Sequence, residues 1–134
     1  MENPKIICFV GSQRAGKTTT IREEVLEKFF KINVLYPKRW TEFNIAFFHN
    51  GKKIGIWTKG DTPEILEEGL KELKEKDCDI IICARHPLQE FIDTIKKHFP
   101  HSEILEINCE RQKSQEEWDK DNERRFGEFG EYFK

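Results

Sequence analysis

A chain of 134 residues has the length of one compact domain with a substantial core. Hydrophobic residues make up 37% of the chain and aromatic residues 12%, which argues against intrinsic disorder although 36% of the residues are charged. The net charge of −2 excludes a strongly basic protein of the kind that binds nucleic acid through charge alone, so we do not expect a nucleic-acid partner.

The charge is distributed unevenly along the chain. Residues 1–60 hold 11 Lys and Arg against 5 Asp and Glu, and residues 61–134 hold 12 against 20. A basic first half suits a phosphate-bearing ligand, and it is also typical of an ordinary solvated surface.

The expected location is the cytoplasm. No apolar run approaches the ~20 residues that cross a bilayer, and the start Met-Glu-Asn-Pro-Lys lacks the basic and then apolar order of a secretory signal. We therefore expect a soluble, intracellular protein without membrane contact. The cysteines show no Cys-x-x-Cys spacing, and we interpret them as buried, reduced thiols rather than as zinc ligands or disulfides. They are Cys8, Cys78, Cys83 and Cys109.

The first half of the chain predicts a buried strand, a helix and a hairpin. The continuous apolar run 5–10 is typical of a strand buried on both faces, and the stripe of Ile21, Val25 and Phe29 predicts a helix over 17–30. A short strand is predicted at 32–36. Two β-prone runs, 43–48 and 52–57, flank His49-Asn50-Gly51, which predicts an antiparallel hairpin.

The second half alternates helices and strands. A helix is predicted to begin at Pro63, with Asp61 or Thr62 as its cap, and Glu64 completes a capping box if Asp61 is that cap. Its buried face comprises Ile65, Leu66, Leu70 and Leu73. A buried strand is predicted at 79–84, a helix between Pro87 and Pro100, and a last strand at 104–109. The periodic residues of the second helix are Leu88, Phe91, Ile92, Ile95 and Phe99.

This order of elements predicts an α/β fold, with a mostly parallel sheet covered on both faces and an inserted β-hairpin. We assign residues 1–110 to this domain and residues 111–134 to a polar, helical C-terminal extension that ends in an aromatic tail. The tail has two interpretations: it packs back onto the body, or it docks onto a protein partner or a second copy of the chain. Its aromatic residues are Phe126, Phe129, Tyr132 and Phe133.

The strongest functional signal is GSQRAGKT at residues 11–18, a full match to the pattern Gly-x4-Gly-Lys-Ser/Thr. It follows a predicted buried strand and opens into a predicted amphipathic helix, which is the context that this pattern requires. Glycines let successive backbone amides curl around a phosphate, and a helix N-terminus adds further N–H donors. The expected phosphate-binding residues are Gly11, Ser12, Gln13, Arg14, Ala15, Gly16, Lys17, Thr18 and Thr19.

This segment resembles the P-loop NTPases. The resemblance implies a P-loop-type three-layer fold and a site for ATP or GTP with Mg²⁺. It also implies that Lys17 contacts the β and γ phosphates, as a catalytic residue, and that the Thr18 hydroxyl binds Mg²⁺. The motif predicts a class of ligand, a nucleoside triphosphate, without specifying the reaction.

The acidic residue that P-loop enzymes use for the Mg²⁺ site, in addition to the Thr hydroxyl, is harder to place. Neither of the two strands best placed to supply it, 52–57 and 79–84, is closed directly by Asp; Asp61 is the nearest candidate for the metal site, and its alternative role is the helix cap. The stretch 58–61, TKGD, is similar to a variant of the guanine-specificity motif of GTPases, but it comes too early in the chain. Its place in the order of strands and helices is instead similar to that of the Asp-x-x-Gly switch segment of GTPases. Gly60 matches the glycine of that segment, but Trp57 or Thr58 stands where its Asp is expected.

Positive charge beyond Lys17 is expected near a transferring phosphoryl group. Arg85, His86 and Arg111 follow predicted strands and therefore lie towards the carboxyl edge of the sheet, where ligands of α/β sheets bind. We predict Arg85 as the catalytic arginine, with a helix-flanking or solvated charge as the alternative. The histidines form no ligand spacing.

The sequence thus predicts an Mg²⁺-dependent ATP- or other NTP-binding protein that acts on the γ-phosphate. Such a protein would be an NTPase, or a kinase whose acceptor is a small molecule or a nucleotide. Two alternatives stay open. One is a non-catalytic nucleotide-binding module that regulates a partner, and the other is a GTPase-like switch.

Overall fold

The computed structural model describes residues 3–11, 17, 21–31, 44–109 and 129–131. Within these ranges the chain forms five strands and three helices. The strands are β1 (Lys5–Val10), β2 (Asn44–His49), β3 (Lys52–Trp57), β4 (Ile80–Arg85) and β5 (Ile104–Asn108). The helices are α1 (Ile21–Phe29), α2 (Pro63–Glu75) and α3 (Gln89–His98). No helix in the described ranges is long and apolar enough to cross a membrane.

The five strands form one sheet in the order β2-β3-β4-β1-β5. The pairs β3-β4, β4-β1 and β1-β5 are parallel, and β2-β3 is antiparallel. The predicted α/β fold, with a mostly parallel sheet and an inserted hairpin, is therefore confirmed.

The hairpin turn follows from its two central residues. Asn50 and Gly51 have φ angles of 51° and 79°. Positive φ at both positions is the requirement of the two-residue turn that matches the twist of antiparallel strands, and Asn-Gly is the sequence that adopts it most readily. The turn pairs His49 with Lys52 and so fixes the register of the hairpin.

Helix α1 covers the face of the sheet that carries Ile7 and Phe9. It is wound more loosely than predicted: the N–H of Phe30 donates to the carbonyl of Val25, five residues back, at 3.0 Å. In this π-helical winding, residues five apart share a face. Among the side chains that the structure describes here, Ile21, Val25 and Leu26 are accordingly fully buried and Phe30 is nearly so, whereas the predicted stripe residue Phe29 is half-buried.

Helices α2 and α3 cover the opposite face, which carries Ile6 and Cys8. Leu66, Leu70 and Leu73 are buried as predicted. Leu88 is not part of the buried face of α3: it is the N-cap residue with an extended backbone, and it is 54% exposed. The periodicity of α3 therefore begins only after Leu88.

A glycine in α2 makes room for a tryptophan of β3. A Cβ at Gly69 would overlap the indole ring of Trp57, which packs directly against the helix backbone at this position and is 4% exposed. The close approach explains why a poor helix former stands in the middle of α2.

The predicted strand at 32–36 lies outside the described residues. Of the predicted helical extension from 111, the structure describes only Phe129, Gly130 and Glu131. These three residues form a helical turn, and Phe129 is fully buried. At this residue the aromatic tail packs back onto the body of the protein.

Replacing Gly69 by Ala tests the contact between α2 and Trp57. Alanine normally stabilises a helix by about 1 kcal/mol relative to glycine. Here we expect the free energy of unfolding to fall by about 1–3 kcal/mol, because the new methyl group displaces the indole ring. Urea denaturation measures the change, with the neighbouring exposed position Glu68→Ala as a control near zero. A stability equal to or above that of the wild type would contradict this packing.

Candidate functional site

The candidate site begins where β1 ends, at the buried residue Gly11. The N–H of Gly11 donates to the carbonyl of Arg85 at 3.1 Å, and the carbonyl of Gly11 accepts a hydrogen bond from Lys17 Nζ at 2.6 Å. Six residues of extended chain would span roughly 20 Å, far more than a lysine side chain can bridge. The two ends of the predicted motif are therefore held together at the end of β1.

Lys17 is itself in helical conformation, as expected for the residue at which the motif opens into a helix. The other predicted phosphate-binding residues lie outside the described residues, and their roles stay predictions. They are Ser12, Gln13, Arg14, Ala15, Gly16, Thr18 and Thr19. Gly11 and Lys17 are thus the part of the motif whose geometry supports the prediction.

The end of β1 lies between the ends of β4 and β5. Val10 pairs with Arg85 on one side and with Asn108 on the other, and the N–H of Cys109 donates to the carbonyl of Val10 at 2.7 Å. Because the three strands are parallel, the residues that follow them meet at one edge. The expectation that Arg85 and His86 share this edge with Gly11 is confirmed; Arg111 is outside the described residues.

Arg85 is 5% exposed, and its guanidinium is engaged on two sides. Nη1 donates to the carbonyl of His86 at 2.9 Å, and Nη2 donates to Glu106 Oε1 at 2.6 Å. Nε is buried and has no hydrogen-bond partner among the described residues. Arg85 shares a face with its register partner Val10, which packs with α2 and α3. The guanidinium is therefore on the face opposite to α1.

The partner of Arg85, Glu106, was missed by sequence reasoning. Glu106 stands in the middle of the apolar strand β5, pairs in register with Cys8, and has a side chain that is 48% exposed. The ion pair reaches across β1, which lies between β4 and β5 in the sheet, and joins these two strands near the end of β1, where the motif begins. The signal that could have identified it was a single carboxylate in an apolar strand together with Arg85 at the end of another buried strand, because a buried arginine needs an anionic partner.

The loop that follows β3 reaches the same edge of the sheet. A Cβ at Gly60 would overlap the carbonyl oxygen of Ala84, so this loop lies directly on the end of β4. Thr58 is buried, Lys59 lies over the Trp57 ring with Nζ 5.8 Å from its centre, and Asp61 is exposed. Only glycine allows this approach of the loop to the strand.

The two candidate caps of α2 are now distinguished. Thr62 is the N-cap, and its Oγ1 accepts a hydrogen bond from the N–H of Ile65 at 3.2 Å. Asp61 is therefore not needed as a cap, and its carboxylate remains exposed to solvent. It follows β3, and β4 lies between β3 and β1, the strand that leads into the motif.

All four cysteines are buried, as predicted, and carry free thiols. Cys8 and Cys83 are register partners with Sγ atoms 3.7 Å apart, and the hydrogen bond with Cys8, together with burial, raises the pKa of the Cys83 thiol well above its usual range. Cys83 is therefore protonated at neutral pH and a poor nucleophile. Among the described residues, no group of three or more His, Cys, Asp and Glu could hold a metal ion.

No protein-family model, curated protein or solved structure matches the chain. The site is therefore interpreted from its own geometry and from the motif.

Replacing Glu106 by Gln tests the ion pair beneath the motif. The substitution keeps the size of the side chain but removes the negative charge beside the buried guanidinium of Arg85. We expect the free energy of unfolding to fall by about 1.5–3 kcal/mol, the range for hydrogen bonds to charged groups. Chemical denaturation at neutral pH measures this, with Glu90→Gln on the exposed surface of α3 as a matched control. Equal stability of both variants would show that the pair contributes nothing.

Proposed function

We propose that the chain is a P-loop NTP-binding protein with a P-loop-type three-layer fold. In this proposal it binds ATP or GTP with Mg²⁺ and acts on the γ-phosphate, as an NTPase or as a kinase for a small-molecule or nucleotide acceptor. The single observation that carries the proposal is the hydrogen bond from Lys17 Nζ to the carbonyl of Gly11 at the end of a buried strand. It brings together the first glycine and the lysine of the GSQRAGKT pattern.

The proposed roles follow from the chemistry of each group. The backbone amides of residues 12–18 would position the phosphates, and the Lys17 ammonium would neutralise charge that develops on them. Arg85 is the proposed second cation. Since its Nη2 is bonded to Glu106, it would contact a phosphate only after exchanging that carboxylate for a phosphate oxygen.

Mg²⁺ would be held by the Thr18 hydroxyl, with Asp61 acting on the metal through its water shell. The donor set suits this ion, because Mg²⁺ prefers oxygen ligands and retains several waters. The exposed carboxylate of Asp61, which the Thr62 cap leaves uncommitted, supports that role. Bound Mg²⁺ would supply charge neutralisation between the β and γ phosphates.

A second candidate function is a non-catalytic nucleotide-binding module. The engagement of Arg85 with Glu106 and His86 favours it, because a site whose second cation is already paired stabilises a transition state less than one with a free arginine. Single-turnover reactions with γ-labelled ATP and GTP, with and without nucleoside monophosphates, separate these functions. Released phosphate indicates an NTPase and labelled acceptor a kinase. Stoichiometric binding without either product indicates the module, and a preference for GTP would favour the GTPase-like switch.

Replacing Lys17 by Ala tests the proposed phosphate site. We expect affinity for Mg·ATP to fall by about 10- to 100-fold, because a charge-assisted hydrogen bond to phosphate is lost. Isothermal titration calorimetry measures the affinity. Lys52→Ala, at the hairpin turn and with the same change in charge, is the control. If Lys17→Ala binds Mg·ATP as tightly as the wild type, the proposal is refuted.

Asp61→Asn tests the proposed metal role. We expect the Mg²⁺ concentration for half-maximal nucleotide binding to rise about tenfold, the lower end of the effect of losing an outer-shell carboxylate. Glu68→Gln, on the exposed face of α2, should titrate like the wild type. Identical Mg²⁺ titrations of Asp61→Asn and wild type would eliminate Asp61 as the acidic residue.

A further inference from the structure

The C-terminal segment contributes a side chain to the core that lies against α1. Phe129 is fully buried, although it stands within six residues of the end of the sequence. It belongs to the hydrophobic cluster that contains Phe9 of β1 and Phe30 at the end of α1. Burial of the whole phenylalanine ring removes a large apolar surface from water, which favours the docked position of the segment.

The aromatic contacts of Phe129 are made to both elements that flank the predicted phosphate loop. Its ring centre lies 6.3 Å from that of Phe9, 5.0 Å from that of Phe29 and 6.2 Å from that of Phe30. The interplanar angles of 58°, 81° and 78° correspond to tilted and edge-to-face packing, which is favourable for aromatic rings. One side chain therefore joins the end of β1 to the end of α1.

The position of Phe9 links this packing to the candidate site. Phe9 precedes Gly11 by two residues, and Gly11 is held by Lys17 at the other end of the motif. A phosphate site needs its donors within hydrogen-bond distance of several oxygens at once, so the spacing between the strand and the helix must be precise. The Phe129 ring packs between Phe9 of β1 and Phe29 at the C-terminal end of α1, so it holds the helix that follows the motif against the strand that precedes it.

We propose that Phe129 is a positioning residue for the phosphate loop, so that docking of the C-terminal segment and binding of NTP stabilise each other. This inference rests on the proposed function. The coupling is reciprocal: a change that loosens the segment weakens nucleotide binding, and nucleotide binding tightens the segment by the same factor. A partner that captured the C-terminal segment would in consequence promote release of the nucleotide.

The test compares two phenylalanines of similar burial on opposite faces of the sheet. Phe129→Leu keeps an apolar side chain but loses the edge-to-face contacts. Phe99→Leu makes the same substitution directly after α3, where the residue is 4% exposed and packs in the cluster on the other face. We expect similar reductions in melting temperature, because both variants lose comparable packing.

Only Phe129→Leu is expected to bind Mg·ATP more weakly, on the order of 5- to 10-fold, at a temperature where both variants are folded. In the wild type, saturating Mg·ATP should slow hydrogen exchange at the amides of Phe129, Gly130 and Glu131. Phe129→Trp, which keeps an aromatic ring, should recover part of the affinity. These readouts separate positioning from a loss of stability, which Phe99→Leu shares.

The outcomes separate the two proposals. Wild-type protein that binds no nucleotide overturns the proposed function and this inference with it. Wild-type binding with equal affinity in Phe129→Leu, and no change in exchange at residues 129–131, overturns the coupling alone. Equal weakening by Phe129→Leu and Phe99→Leu also overturns it, because the effect would then reflect general stability.

Discussion

The placement of β1 is the constraint on which the rest of the molecule depends. This strand pairs with β4 on one side and β5 on the other, and its residues from Ile6 to Val10 are buried. A backbone buried on both faces must satisfy its polar groups through its neighbours, so the strand cannot slide without losing two sets of hydrogen bonds. Gly11 consequently leaves the sheet from a fixed point, and Lys17 returns to that point.

The charges around the end of β1 have a physical cost that bears on function. Arg85 is nearly buried, and a buried ion pair contributes little to stability compared with apolar residues of similar size. Breaking the pair costs more than the intact pair contributes, because Arg85 would be left as an uncompensated buried charge. A ligand that recruited Arg85 would therefore have to replace Glu106 as its partner.

Most of the fold could be predicted from the sequence because its signals are local. Apolar runs, the 3.6-residue period, Asn50-Gly51 and Pro63 at the start of α2 predicted the bounds of the five strands, and the first residues of α2 and α3, to within one or two residues. The order of the strands could not be predicted, since the position of β4 between β3 and β1 depends on contacts between distant segments. The burial of Phe30 in place of Phe29 also escaped prediction, because a period of 3.6 does not describe π-helical winding.

The parts of the candidate site that belong to one sequence motif could be predicted. The parts that depend on contacts between distant segments could not. Gly11 and Lys17 belong to one pattern, but the pairing of Arg85 with Glu106 depends on the register of two strands that flank a third. The contacts of Phe129 are of the same kind. Because the Phe129 ring lies in the same buried cluster as Phe9, the predicted boundary at residue 110 does not separate two independently packed parts. The C-terminal segment therefore packs against the strand that leads into the motif.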